Sequence, residues 1–412
     1  MPSDERKSLL KTIFSARMFV ALAMGFACGL PLLLTITVLQ AWMTEEGMDL
    51  AVIGAMALVG LPYTVKFLWA PLLDRYTLPF LGRRRGWLLI AQLALIASIA
   101  GLGLTDPGKN PWMVASVAFL VTFFSASQDI VVDAYRREDL PDEELGLGSS
   151  LYVNGYRMGM LLASGGGLIL ADHISFSLVY MIMAACMLTG VLTTLLAPEP
   201  ELPAGTPKSL REAVIDPLVE YFSRKGAIWM LTFILLYKIG DTMAGAMTMP
   251  FYLDIGFSKT EIGAVVKLFG FWAIVAGSLM GGVMMIRLGI NRSLWVFGFF
   301  QAISTACFAL LARIGHSVPL LSGVIGFENL SSGMGTAAYI AFMASITNKK
   351  FTATQYALLS SLMGIPRVLA AAPTGFIAQD LGWEGFFIAC TLMAIPGMLL
   401  LLKFAPWHPS SR

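Results

Sequence analysis

The sequence has 412 residues, of which 57% are hydrophobic and only 13% charged, with a mean hydropathy of +0.74 and a formal net charge of +2. That composition lies outside soluble globular usage and excludes a water-exposed surface wrapped round an ordinary core. The small positive charge gives no reason to invoke nucleic acid, and the four cysteines (Cys28, Cys186, Cys307, Cys390) fall in apolar runs without metal or redox spacing.

In lipid every backbone amide must bond internally, so apolar runs near twenty residues read as transmembrane helices. Six are predicted over residues 16–43, 52–73, 87–105, 112–136, 148–171 and 177–197. The prolines of Ala197-Pro198-Glu199-Pro200-Glu201 end the sixth. A polar stretch runs to Gly226, and six more spans follow over 227–253, 259–285, 292–313, 318–347, 352–378 and 384–404. The expected fold is therefore an all-α membrane protein with twelve transmembrane helices in two pseudo-symmetric six-helix bundles, 1–197 and 227–412, joined by a linker over 198–226. Apolar residues at helical spacing predict an amphipathic linker helix, with Leu210, Val214, Pro217, Leu218 and Tyr221 on the membrane interface. Lys208, Arg211, Arg224 and Lys225 are expected to face headgroups.

An even number of spans puts both ends on one side. That side carries roughly twenty of the Lys and Arg residues against about three on the other, so the termini are expected to be cytoplasmic. The first span follows Arg6, Lys7, Lys11 and Arg17 and has no small-residue cleavage site, so it reads as an anchor rather than a removable signal.

The halves carry matching features. Ala70-Pro71-Leu72-Leu73-Asp74-Arg75 followed by Gly82-Arg83-Arg84-Arg85-Gly86 is answered by Gly281-Gly282, Arg287, Gly289 and Arg292. Ser149-Ser150 before Arg157 is answered by Ser360-Ser361 before Arg367. These basic loops resemble the cytoplasmic signature of the major facilitator superfamily, with Ala70 where its leading glycine usually stands and Ile286 in the acidic place of the second copy. In that reading Asp74, Arg75, Arg83, Arg84, Arg287 and Arg292 form a gating latch that pairs across the bundles.

A charge inside hydrocarbon is costly, so each one is a functional candidate. The bases are Lys66, Arg157, Lys238, Lys267 and Arg367; the acids are Asp129, Asp133, Asp241 and Glu328. Ser125, Asp129 and Asp133 share one helical face. By rise per residue Asp129 and Arg157 lie at similar depth, roughly 10 and 13 Å from the cytoplasmic end, within reach of one another. Arg136 and Arg137, one turn away, are expected to hold Asp133 as a local pair. Lys238 and Asp241 form either a self-neutralising pair or a proton site. With five bases against four acids, an anionic solute would satisfy the extra cation. Protonation of Asp129, Asp241 or Glu328 would release more positive charge toward it, so these three are the proton-coupling candidates.

Tyr152, Tyr156 and Trp272 are open to two readings, packing or sugar-ring stacking, while interface belts account for Trp42 and Trp69. His173, His316 and His408 lie at loops or the tail, and no nucleophile elbow or metal spacing is present. An enzyme is therefore not expected, nor a cofactor or metal.

Gly25-Phe-Ala-Cys-Gly29-Leu-Pro31, Leu39-Gln40-Ala-Trp42, Lys66-Phe-Leu-Trp69-Ala-Pro71, Ser125-Ala-Ser-Gln128-Asp129, Phe327-Glu328-Asn329 and Ala353-Thr-Gln355-Tyr resemble the AmpG muropeptide permease family through both halves. The resemblance implies a monomeric, multi-pass inner-membrane protein that imports N-acetylglucosaminyl-1,6-anhydro-N-acetylmuramic acid, with or without stem peptide, for peptidoglycan recycling. The proton gradient would drive it, with H+ the only driving ion. It also implies a beta-lactam resistance role where import feeds beta-lactamase induction. The substrate-facing positions it implies are Gly29, Gln40, Lys66, Gln128, Asp129, Arg157, Glu328 and Asn329. An acetyl-coenzyme A transporter resembles the same branch more distantly, and a non-transporting muropeptide receptor is the alternative from another class.

Overall fold

The computed structural model describes residues 12–48, 52–53, 56–201, 209–224, 226–258, 261–364, 370, 373–405 and 407. Among them secondary structure is helical throughout, with no strand. The first half comprises α1 (Ala16–Glu45), α2 (56–75), α3 (Arg83–Gly103), α4 (Pro111–Asp139), α5 (145–171) and α6 (Phe176–Leu196). The linker helix α7 (Leu210–Ser223) follows. Next come α8 (Ala227–Asp254) and one continuous run, Ile262–Ile314. Gly289 turns that run back with φ 74° and ψ 164°, dividing it into α9 (262–288) and α10 (290–314). After α11 (Val318–Ile346) and α12 (Thr352–Leu362), Gly382 at φ 67° likewise divides Thr374–Phe404 into α13 (374–381) and α14 (383–404). Loops were expected at both turns. A glycine at positive φ reverses the chain in one residue, so neither needs one.

Seven of these runs are long and apolar enough to cross a membrane by length and composition, the 53-residue Ile262–Ile314 being about two spans long. The described residues pack into two compact units. One comprises those within Met1–Pro141, Leu151–Leu218 and Thr347–Ser361; the other comprises those within Asp142–Ser150, Val219–Ile346 and Leu362–Arg412. The units thus exchange two short pieces relative to the sequence halves: the start of α5 packs with the second unit and most of α12 with the first.

In the first unit, the side chains of Ser15, Asn110 and Ser175 cap α1, α4 and α6 by accepting from the amides three residues on. Pro31 cannot donate inside α1, and the helix widens into a π turn at Leu34–Val38. The Gly165-Gly166-Gly167 stretch accompanies a second π turn in α5, Leu162–Gly166, and the two turns pack together. Below them α1 and α5 cross on glycines: a Cβ on Gly25 or Gly29 would strike the carbonyl of Tyr152 or Tyr156, and one on Gly155 or Gly159 that of Leu22 or Phe26. Trp42, expected on the membrane interface, is instead 7% exposed and stacked on Phe176 at 5.6 Å. Tyr180 supports it by donating to the Leu34 carbonyl at 2.9 Å, so this tryptophan is core.

In the second unit α8 breaks at Lys238 (φ −109°, ψ 12°). Tyr237, just before the break, donates to the Leu294 carbonyl and stacks on Tyr339. Gly277 of α9 and Gly333 of α11 let those helices touch backbone to backbone. Phe251, Phe308, Phe387 and Trp383 close one end of the unit as an aromatic cluster. On α7 the side chains of Ala213, Pro217 and Tyr221 are buried, whereas Val214, Ile215, Leu218, Val219 and Phe222 are exposed. The exposed apolar stripe keeps Val214 and Leu218 of the expected one, but Pro217 and Tyr221 turn inward and Ile215, Val219 and Phe222 take their place. Arg224 bonds Glu220 and the Ile346 carbonyl; Lys208, Lys225 and the Leu210 and Arg211 side chains lie outside the described residues.

Candidate functional site

The basic loop between α2 and α3 is a buried ion-pair network, in which Nε and Nη1 of Arg83 reach no hydrogen-bond partner among the described residues. Asp74 is 0% exposed, and its Oδ1 accepts from Arg83 Nη2 at 3.0 Å and Arg84 Nη2 at 2.8 Å. Its Oδ2 accepts from the Thr354 amide and hydroxyl at 2.8 and 2.7 Å, so it caps the first turn of α12. Arg84 grips Glu138 through Nε and Nη2 at 2.9 and 2.6 Å. Glu199 accepts from the Arg84 and Arg85 amides, and Arg85 bonds the last carbonyls of α6. Charge bias alone would leave these arginines in water. Of the other predicted latch residues, Arg75 lies over the Tyr76 ring at 5.4 Å, Arg287 is exposed, and Arg292 donates to the Trp407 carbonyl. Where the second copy has Ile286, the start of α5 docks by shape: Gly282 faces the Ser150 side chain, and the Ser150 hydroxyl donates to the Ser278 carbonyl.

Burial by itself would raise the Asp74 carboxyl, but the Arg84 and Arg83 guanidinium groups and the Thr354 hydroxyl hold it below the usual carboxylate range. A depressed carboxyl supplies its binding energy above its ordinary value of about 3.9 and loses it only as pH falls through the lower, folded value. Asp74→Asn is therefore expected to slow transport while leaving the shape of its pH profile between about pH 5 and 8 unchanged. A profile flattened by that substitution would make the latch the proton-sensing element.

Deeper in the first unit, α1, α2, α4 and α5 surround a polar cluster. Two cross-links set the register of α2 on α4: Thr122 donates to the Val59 carbonyl at 2.6 Å, and Trp69 Nε1 to Ser127 at 3.0 Å. Between them α2 tightens into a 3-10 turn that carries Lys66, 6% exposed, beside Asp129, also 6% exposed. Lys66 attracts Asp129 and Asp133, while those two acids repel each other. Asp133 has its expected local partner, Arg136, at 3.1 Å. Arg136 also lies over the Tyr152 ring at 4.4 Å and donates to the Tyr356 hydroxyl at 3.0 Å. Gln128 donates to Cys28 Sγ at 3.4 Å. Asp129 Oδ1, Gln128 Oε1, Ser125 Oγ and Tyr63 Oη are buried and reach no hydrogen-bond partner among the described residues. Leaving so many buried groups unbonded costs of order 1–3 kcal/mol each, a cost that any polar group reaching them would relieve.

The other first-unit candidates lie on α1 and α5. Gly29 is the helix-crossing glycine under Tyr156; Tyr156 and Arg157 are half-buried on α5. Gln40 is half-buried on α1, its carbonyl accepting from the Thr44 hydroxyl. In the second unit Lys238 bridges Asp241 at 3.3 Å and donates to Thr336 at 2.8 Å, and both charges act on Glu328. Asn329 donates to the Ile325 carbonyl and abuts Gly270. Trp272 is 62% exposed, edge-on to Phe271, and Lys267 is exposed. Arg367 lies outside the described residues. Sequence reasoning missed Glu138, Glu199, Tyr356 and Thr354. The only signals were an acid ending α4, an acid between two prolines, and a polar run opening α12.

The Major Facilitator Superfamily signature matches residues 13–371 and 238–412. Over 95% of this chain and 80% of the relative, the sequence is 44% identical to the anhydromuropeptide permease of Escherichia coli K12. It is 32% identical to AmpG 1 of Rickettsia bellii over 92% of this chain and 96% of that one. Among solved structures, the E. coli fucose:proton symporter superposes with TM-score 0.73 at 15% identity over 93% of this chain and 97% of that one. A proton:xylose symporter superposes with TM-score 0.69 at 11% identity, covering 95% of both chains. At such identities these two speak for the fold.

Proposed function

The chain belongs to the major facilitator superfamily and, within it, to the anhydromuropeptide permease family, and from that premise we propose that it imports anhydromuropeptides across the inner membrane in symport with protons. The observation that carries this reading is the buried, unbonded polar cluster at Tyr63, Ser125, Gln128 and Asp129, next to a buried lysine. Ser125, Gln128, Asp129 and Lys66 lie in the stretches that resemble the family. A glycan offers the hydroxyls and amides such groups lack, and the solute offers a carboxylate to the cation: the lactyl group where no peptide is attached, the peptide's own carboxylates where one is.

In this reading the spans number twelve, the basic end is cytoplasmic, and the halves 1–197 and 227–412 are the moving bundles about the 198–226 linker. The Asp74 network, which ties α12 to the α2–α3 corner, is the fastening that must open for release into the cytoplasm. The cargo leaves unaltered, so no enzymatic step is involved, and one chain suffices.

Counterflow tests the solute without any gradient. Proteoliposomes loaded with unlabelled disaccharide are expected to accumulate labelled disaccharide transiently from outside, and preloaded acetyl-coenzyme A should not replace it. Tight binding with no exchange would instead make the protein a receptor.

A further inference from the structure

Lys66 is nine-tenths buried, yet among the described residues it has no ion pair and no hydrogen bond. A buried ammonium left so is expensive unless a partner arrives. The two carboxylates it attracts are not equivalent. Asp133 already has Arg136, which Tyr152 and Tyr356 hold in place. Among the described residues Asp129 forms no ion pair, and one of its oxygens is unbonded. The groups facing Asp129 are Cys28 from α1, Tyr63 and Lys66 from α2, Asp133 from its own helix, Tyr152 and Tyr156 from α5, and Tyr356 from α12. Of these only Lys66 and Asp133 are of residue types that are ordinarily charged near neutral pH.

Lys66 and Arg136 against Asp129 and Asp133 make a neutral set. A carboxylate seated on Lys66 would leave one negative charge in excess in a water-poor site, and that is unfavourable. We propose that Lys66 receives the carboxylate of the solute and that Asp129 takes up one proton as it does so, so that cargo and proton occupy the site as a neutral pair. The proton comes from water on the side where the solute enters and forms an O–H bond on Asp129; it returns to water when the solute leaves, which restores the Asp129 carboxylate and the neutral set. No bond in the solute is made or broken. The inference rests on the muropeptide reading for the source of the carboxylate, the free lactyl group of the peptide-free anhydro-disaccharide, and adds to it which residue reads that group and how many protons travel with it.

The test is calorimetric binding to the detergent-purified full chain, using the anhydro-disaccharide and its carboxamide analogue in buffers of different ionisation enthalpy. The wild type is expected to bind the acid about tenfold more tightly than the amide, as for a hydrogen bond to a charged group. It should take up close to one proton with the acid and none with the amide. In Lys66→Met the acid is expected to lose its preference over the amide, and Lys66→Arg should keep the preference. Asp129→Asn is expected to bind the acid without proton uptake. Equal losses for acid and amide in Lys66→Met, or proton uptake that persists in Asp129→Asn, would overturn the proposal. Binding of neither ligand by the wild type would remove the muropeptide reading itself, a result distinct from both.

Discussion

Arg84→Ala is expected to destabilise the protein by about 3–5 kcal/mol, the range for removing one member of a buried ion-pair network. Arg84 is 0% exposed and is the cation shared by Asp74 and Glu138, and it also donates to the Leu73 carbonyl. Without it two carboxylates face each other in a dry corner with only Arg83 between them, at 3.0 and 3.6 Å. Protonation of one acid or separation of α12 from the corner then follows. Arg84→Lys should fall between, because an ammonium keeps the charge but loses the two-pronged grip on Glu138. Detergent-induced unfolding followed by tryptophan fluorescence measures this directly. A loss under about 1 kcal/mol, the size of a surface pair, would mean the network is solvated.

Gly155→Leu is expected to cost at least about 3 kcal/mol, the upper end for forcing bulk into a packed interior. Even the first added carbon would collide with the Leu22 carbonyl, which is backbone and cannot rotate aside. The α1–α5 crossing would open by the thickness of a side chain and carry Tyr156 away from Asp129. Gly165→Leu is the matched control, since its Cβ would meet only the end of Leu161 at an ordinary 3.6 Å. Thermal unfolding of the pair in one detergent checks the contrast. Similar melting of both variants would contradict the close crossing.

The helical spans were legible because lipid imposes both their length and their apolar character, and the local Asp133–Arg136 pair because it sits at a three-residue helical spacing. The half of the latch close in sequence, Asp74 with Arg83 and Arg84, was legible in its members but not in its pairing, which was expected across the bundles and is made among these three. Its other half was not: Glu138, Glu199 and the start of α12 come from distant positions, and no periodicity announces where a helix end will dock. The basic side chains of Arg75, Arg287 and Arg292 look the same in sequence, yet the structure places them on a ring, at the surface and on a tail carbonyl. Depth alone matched Asp129 with Arg157. It is the register of α2 on α4, fixed by Thr122 and Trp69, that brings Lys66 to that acid instead. Trp42 misled for a related reason: a tryptophan near a span end suits an interface belt, and only its stacking on Phe176 reveals core.

Accumulation of labelled anhydro-disaccharide in proteoliposomes tests the central claim most directly. With the outside more acidic than the lumen, the label should rise above the external concentration, and an uncoupler should return it to equilibrium; a matched liposome without a gradient should only equilibrate. Equilibration that ignores both gradient and uncoupler, or no entry at all, would contradict proton-driven muropeptide import.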